Sequence, residues 1–333
     1  MSLIDLEFKR PIATFGEKVI LEKSDRQKNI KDPLEYGVSF LDAVTEGITK
    51  NDLIIIGAKT GTGKTQLATL IAMTNARKGK RVHYYALEAE NFEIERRIKY
   101  RMLAEKYLSM NRYDKVRISY PSWYRCKLDH VFEKIEPEIN EMLGTIYSSL
   151  FTIYGHGNFT IEDFEKSFLA IQDQTDLVII DHLHYFDFDD TNENRAYKRI
   201  VKSIHDLALH VGKPVILVAH MRKSDKKEKT LLPGIEDFHG TSDIPKIATT
   251  AIVIGPCKNS ETGDPTLWKT YMRVAKLRMD MSRTHYAAQT CFDVKTQGYE
   301  KHFVFGRFVN FDEEFEALSE NQTPEWAKQE KGK

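Results

Sequence analysis

The segment Ala58-Lys59-Thr60-Gly61-Thr62-Gly63-Lys64-Thr65 constrains this chain more than any other. It follows the apolar run Leu53-Ile54-Ile55-Ile56 and leads into helix-forming Gln66-Leu67-Ala68-Thr69-Leu70, so it reads as the loop between a strand and a helix. In a phosphate-binding loop of this kind, the glycines let the main chain fold around phosphate oxygens. Amide N–H groups and the helix N-terminus supply positive potential, and the lysine reaches the terminal phosphates. Lys64 takes that last role, and the hydroxyl of Thr65 is the expected ligand to Mg²⁺, a small hard cation that prefers oxygen donors. Residues Ala58 to Gln66 are thus the expected ATP-binding segment. Ala58 stands where the consensus has glycine, so the turn has to tolerate a Cβ there.

The rest of the chain supplies the scaffold this loop requires. Apolar runs at Leu53 to Gly57, Val82 to Leu87, Leu150 to Tyr154, Leu177 to Asp181 and Pro214 to Ala219 alternate with helical stretches. That alternation predicts an α/β fold with a mostly parallel central sheet flanked by helices. Beyond about residue 248, runs at Thr250 to Ile254, Tyr271 to Leu277, Thr290 to Val294 and His302 to Phe308 are joined by short turns, which predicts an antiparallel C-terminal extension. Residues 1–36 are mixed and charged without a sustained period and read as an arm or linker. Residues 37–312 read as the motor domain and 313–333 as a loose charged tail.

Composition narrows the function classes. At 333 residues with 41% apolar side chains the chain can bury a full core, and 49 basic residues balance 49 acidic ones. A protein coating nucleic acid over its whole surface is usually basic, so nucleic-acid binding here has to come from local patches. Cys126, Cys257 and Cys291 lie far apart with no CxxC pair, which argues against a zinc site or a disulfide framework and fits the cytoplasm. No signal peptide and no membrane-spanning run is visible.

Two carboxylates are expected beside the nucleotide. Asp176-Leu177-Val178-Ile179-Ile180-Asp181 is an apolar strand ending in an acid, and Asp181 is the expected metal-site carboxylate. Glu88 closes the run Val82-His83-Tyr84-Tyr85-Ala86-Leu87 at the edge where open α/β sheets place their ligands, so it is the expected group for activating water. Glu90 is its rival and also suits the start of the next helix.

Strung together, these elements resemble the RecA-like motor domain of DnaB-family hexameric helicases over roughly residues 33 to 308. Tyr36-Gly37-Val38-Ser39-Phe40-Leu41-Asp42 with Glu46-Gly47-Ile48, Ala86-Leu87-Glu88, Asp181-His182-Leu183-His184 and Glu193-Asn194-Arg195 carry the match, with Pro214 to Lys223 and Val274-Ala275-Lys276-Leu277-Arg278. The resemblance implies a RecA-like P-loop NTPase core using ATP and Mg²⁺, with His220 sensing the γ-phosphate. It also implies Lys276 and Arg278 as cations that reach ATP on a neighbouring subunit, as an arginine finger does. The family's DNA loops fall at Arg222, Lys223, Lys226, Lys227 and Lys229 and at His239 and Gly240, where phosphate contacts are sequence-independent and salt-sensitive.

The resemblance further implies a DNA helicase running on single-stranded DNA as a self-assembled, hexameric ring in replication, 5′ to 3′, with a separate primase or loader. The alternative is a recombinase or KaiC-like regulatory ATPase that assembles without unwinding, and a third class keeps ATP as a structural ligand. Three departures stand out. The chain has no room for the N-terminal primase or helical domain of many ring helicases, Met279 to Arg283 lacks a glycine turn, and Phe186 to Asp190 is acidic where a DNA-facing loop is expected.

Overall fold

The computed structural model describes residues 14–30, 32–110, 118–127, 130–155, 157–222, 232–239, 243–255, 267–299, 303–310 and 314–328. The chain enters through helix α1 (Phe15–Ile30) and the short α2 (Ser39–Thr45), then forms β1 (Leu53–Ala58), α3 (Lys64–Arg77) and β2 (Val82–Ala86). Helices α4 (Glu93–Ser109), α5 (Tyr120–Tyr124) and α6 (His130–Ile146) precede β3 (Leu150–Tyr154). The core continues with α7 (Ile161–Ile171), β4 (Leu177–Asp181), α8 (Glu193–Val211), β5 (Val215–His220), α9 (Asp243–Ile247) and β6 (Thr250–Ile254). Strands β7 (Leu267–Leu277), β8 (Tyr286–Asp293), β9 (Gly298–Tyr299), β10 (Val304–Val309) and β11 (Glu314–Ala317) complete it.

All these strands share one sheet. Its order is β11-β10-β8-β7-β6-β1-β5-β4-β2-β3, with β9 paired to β8. From β3 to β6 every pairing is parallel, and from β6 to β11 every pairing is antiparallel. Strand alternation divides the core. Ile54 and Ile56 face the cluster made with α2, α3, α4 and α6, whereas Leu53 and Ile55 face the one made with α7, α8 and α9. Burial on both faces explains why the parallel strands read as continuous apolar runs.

One expectation is refined and one corrected. The N-terminal arm contains a helix, α1, which has no single buried apolar face, with Phe15, Val19 and Leu21 exposed, and an i,i+4 pair from Arg26 to Glu22 at 2.8 Å supports it. The C-terminal tail is not loose, since β11 pairs with β10 and Phe315 packs on Tyr271 and Phe308 at 5.3 and 5.6 Å between ring centroids. Further on, Trp326 packs edge-on against Tyr286 at 5.4 Å, with the Arg283 guanidinium 4.9 Å from its ring. A few aromatic residues among many charges anchor this segment, a pattern that composition alone hides.

Candidate nucleotide site

β1 delivers the phosphate loop to the carboxyl edge of the parallel strands. Ala58 tolerates its Cβ because it is the last residue of β1, extended and paired with His220 and Ile254 on either side. The turn itself falls on Gly61 (φ 79°) and Gly63 (φ 91°), the left-handed conformation that glycine adopts without a Cβ clash. Gly63 caps α3, and a Cβ there would lie 2.5 Å from the Tyr299 hydroxyl. That hydroxyl donates to the Gly63 carbonyl at 3.1 Å, so β9 clamps the loop. Thr62 Oγ1 closes the turn by donating to the Lys59 carbonyl at 2.7 Å.

Lys64 is buried. Its Nζ donates to His220 Nδ1 and lies 3.4 Å from His182 Nε2. Burial lowers its pKa to about 8 against the opposing pull of Glu88 and Asp181. Asp181 ends β4 beneath the loop, where burial raises its pKa against hydrogen bonds from Tyr84 and Thr65. Tyr84 Oη donates to Oδ2 at 2.7 Å, whereas Oδ1 is buried without a partner. An orphaned carboxylate oxygen beside the Thr65 hydroxyl is an all-oxygen donor set, and it fits Mg²⁺.

Glu88 stands next to Asp181 because the main-chain N–H groups of Leu87 and Glu88 both reach the Asp181 carbonyl, at 2.7 and 3.4 Å. Desolvation and the Asp181 charge raise its pKa, while Lys64 and a hydrogen bond from Tyr185 act to lower it. The rival Glu90 is committed elsewhere, to Arg96 and Tyr124. Lys64, Thr65, Glu88 and His220 therefore line one crevice, with Thr60, Gly61, Gly63 and Gln66 on its walls, and buried Asp181 lies behind them beside Glu88 and the Thr65 hydroxyl.

Sequence reasoning assigned no role to several residues around this crevice. Arg97, Phe292 and Gln297 line the same cavity of about 250 Å³, and Gln66 hydrogen-bonds Gln297 at 3.1 Å. Arg97 belongs to an i,i+4 pair with Glu93, the usual mark of a solvated helix face. Phe292 and Gln297 arrive from more than 200 positions downstream, which no local pattern reveals. Four histidines also cluster here: His182 and His220 rings are 3.8 Å apart, His182 and His184 5.0 Å, and His184 and His239 4.9 Å. Burial lowers His220 to about 4 and His184 to about 3, aided by neighbouring positive charge. A larger cavity of about 740 Å³, lined by Asp187, Asp189, Asp190 and Arg195, holds none of Lys64, Thr65 and Glu88.

Lys276 and Arg278 lie apart from this group. Arg278 N–H donates to the Thr249 carbonyl at 2.9 Å, beside the start of β1, and β1 from Leu53 to Ala58 spans roughly 16 Å at about 3.3 Å per residue. Neither cation serves the phosphate loop of its own chain. Lys276 Nζ donates to the carbonyls of Pro245, Lys246 and Ala248 at 2.9, 2.7 and 2.7 Å, capping α9, whereas Arg278 is exposed. Arg222 and His239 stand on a short ladder from the end of β5: Arg222 N–H donates to Asp237 O at 2.7 Å and His239 N–H to His220 O at 2.9 Å. Lys223, Lys226, Lys227, Lys229 and Gly240 lie outside the described residues.

Comparison with known proteins places this geometry. Residues 34–284 match the family model of the DnaB-like helicase C-terminal domain. The chain belongs to that family. It is 23% identical over 248 residues to the replicative DNA helicase DnaB of Mycoplasma genitalium, a match covering 72% of this chain and 49% of that one. It is also 23% identical over 245 residues to a probable replicative DNA helicase of Trieres chinensis, covering 71% and 50%. The chain thus spans about half the length of the curated relatives it matches. Among solved structures it is similar to an ATPase domain, with a TM-score of 0.65 at 14% identity, covering 93% of this chain and 100% of that one. A DnaB-like replicative helicase described with its interactions with primase has a TM-score of 0.66 at 14% identity, covering 88% and 68%. The fold is the RecA-like P-loop NTPase fold of the DnaB-like domain. Among the described residues, no helix is long and apolar enough to cross a membrane.

Proposed function

We propose that this chain is the motor of an ATP-dependent DNA helicase, acting in replication in the cytoplasm as a homo-oligomeric, hexameric ring on single-stranded DNA. The convergence of Lys64, Thr65, Glu88 and His220 on one crevice, with Asp181 buried behind them, carries the reading. Lys64 and the loop amides hold the terminal phosphates of ATP, and Thr65 and Asp181 hold Mg²⁺. The bound ion supplies charge neutralisation on the phosphoryl group. Glu88 takes a proton from the attacking water, its carboxylate kept basic by burial and by Asp181. His220 senses the γ-phosphate, and the ladder through Arg222 and His239 passes its position to the basic loop that grips DNA. Arg278, too far from the crevice of its own chain, completes the site of the next subunit, while the Lys276 cap on α9 steadies the strand that presents it.

The acidic surface at Asp187, Asp189 and Asp190 favours a second reading, a recombinase or regulatory ATPase that assembles without unwinding. A strand-displacement assay on a forked DNA separates them. The helicase reading expects ATP-dependent displacement by the wild type. It expects none by Glu88→Gln, with turnover down about 10²- to 10⁴-fold and ATP binding kept within a few-fold. ATP turnover without displacement, on either fork polarity and with loader and primase supplied, identifies the alternative.

A further inference from the structure

Side-chain atoms of Glu88, His182 and His220 that are able to bind a metal all lie within 4.8 Å of one another around the Lys64 amine. That triangle is either a metal cage or a set of hydrogen-bonding groups facing the phosphate crevice, and proton counting decides between them. His182 Nδ1 accepts the main-chain N–H of His184 at 3.2 Å. A neutral imidazole has one lone-pair nitrogen and one N–H, so this bond places the proton on Nε2. Nε2 lies 3.4 Å from Nζ of Lys64, which lines the crevice; an ammonium only donates, so this longer side-chain contact asks for the other tautomer, and the shorter main-chain bond decides. A protonated nitrogen cannot ligate a metal, so the metal reading loses the His182 ligand and with it the triangle.

We infer that His182 is a further catalytic residue, whose Nε2–H is a fixed donor to the terminal phosphate of the bound nucleotide and to the charge that develops there during transfer. The inference rests on the reading of this crevice as a nucleotide-hydrolysing site. His182 follows the metal-site Asp181 directly, so the strand that places the carboxylate also places the ring. The ring is fully buried and held 3.8 Å from His220 and edge-on to Tyr185 at 6.0 Å, with its tautomer set by the main chain rather than by a mobile side chain. Lys64 lies over Nε2 in the chain alone. When Lys64 turns to an arriving phosphate, the N–H faces a phosphate oxygen. A preorganised donor in a water-poor crevice is worth far more to the transition state than to the ground state.

The test pairs two polar replacements of similar size. The amide nitrogen of His182→Gln reaches the place of Nε2, and that of His182→Asn only the place of Nδ1. His182→Asn and His182→Phe are expected to keep ADP affinity within about twofold, weaken a non-hydrolysable ATP analogue about tenfold and lower kcat roughly 100-fold. His182→Gln is expected to recover at least about tenfold of that kcat. Equal losses of ADP and ATP-analogue affinity, a wild-type kcat in the Asn variant, or a Gln variant no better than Asn would each overturn the assignment. Lys64→Ala is the control for the site itself: undiminished binding of both nucleotides there removes the nucleotide reading, whatever His182 does.

Discussion

At the scale of single residues, the chain sets buried charge against specific partners, and the outcome differs from place to place. Burial would raise Asp176, but hydrogen bonds from the Arg81 guanidinium and main-chain N–H, with the charges of Arg81 and Lys213, hold it at about 2. A carboxylate held below its unfolded value stabilises the fold above that value, and the contribution disappears as pH falls through the folded one. Asp176→Asn is therefore expected to lower the denaturation midpoint at pH 7, and the gap from wild type to close between about pH 4 and pH 2. A gap of constant size across that range would contradict this account. That Lys64, Thr65, Asp181 and Glu88 share one edge of the sheet was legible in the sequence, because each sits at a strand end or inside a local motif. His182 and His184 stand in the segment that follows Asp181, yet what distinguishes them is a tautomer and a contact to His220, neither of which follows from residue order. Gly37 and Asp42, read as a lead-in motif, turn out to shape the turn before the core. The Asp42 carboxylate accepts the Tyr36 N–H at 2.7 Å, and a Cβ on Gly37 would lie 2.1 Å from Thr74 Oγ1.

Elements join these residues into a working edge. The strands Leu177–Asp181 and Thr250–Ile254 stand where their apolar runs place them, because two-sided burial demands uninterrupted apolar sequence, and the edge strand Leu150–Tyr154, only partly buried, also keeps its expected bounds. β7 begins at Leu267, well before the expected Tyr271, since Trp268, Lys269 and Thr270 form no apolar run. The short β9 was not legible, although it controls the loop: Tyr299 reaches Gly63 across 236 positions of sequence. Gly63→Ala is consequently expected to destabilise the fold by roughly 1–3 kcal/mol, from the left-handed backbone and the displaced Tyr299. It is also expected to weaken ATP binding more than tenfold, as checked by thermal melting and nucleotide titration. Normal binding in that variant would mean that the β9 clamp does not set the loop.

At the scale of the whole molecule, the parallel sheet has two functional edges. The carboxyl edge gathers the phosphate loop, both carboxylates and the histidines, while the opposite edge carries Arg278, exposed, and Lys276, fixed to α9. On the proposed reading one chain does not close this site on itself, which makes assembly part of the chemistry. The central claim is a motor whose active site is shared between neighbours and driven by DNA, and one experiment addresses it most directly. ATP turnover is measured with and without single-stranded DNA, on wild type and Arg278→Ala, with oligomer size recorded in the same buffers. The account predicts that DNA stimulates the wild type and that Arg278→Ala assembles and binds ATP normally but turns over roughly 10³- to 10⁵-fold more slowly. Equal turnover with and without DNA, or an Arg278→Ala ring as active as wild type, would contradict it.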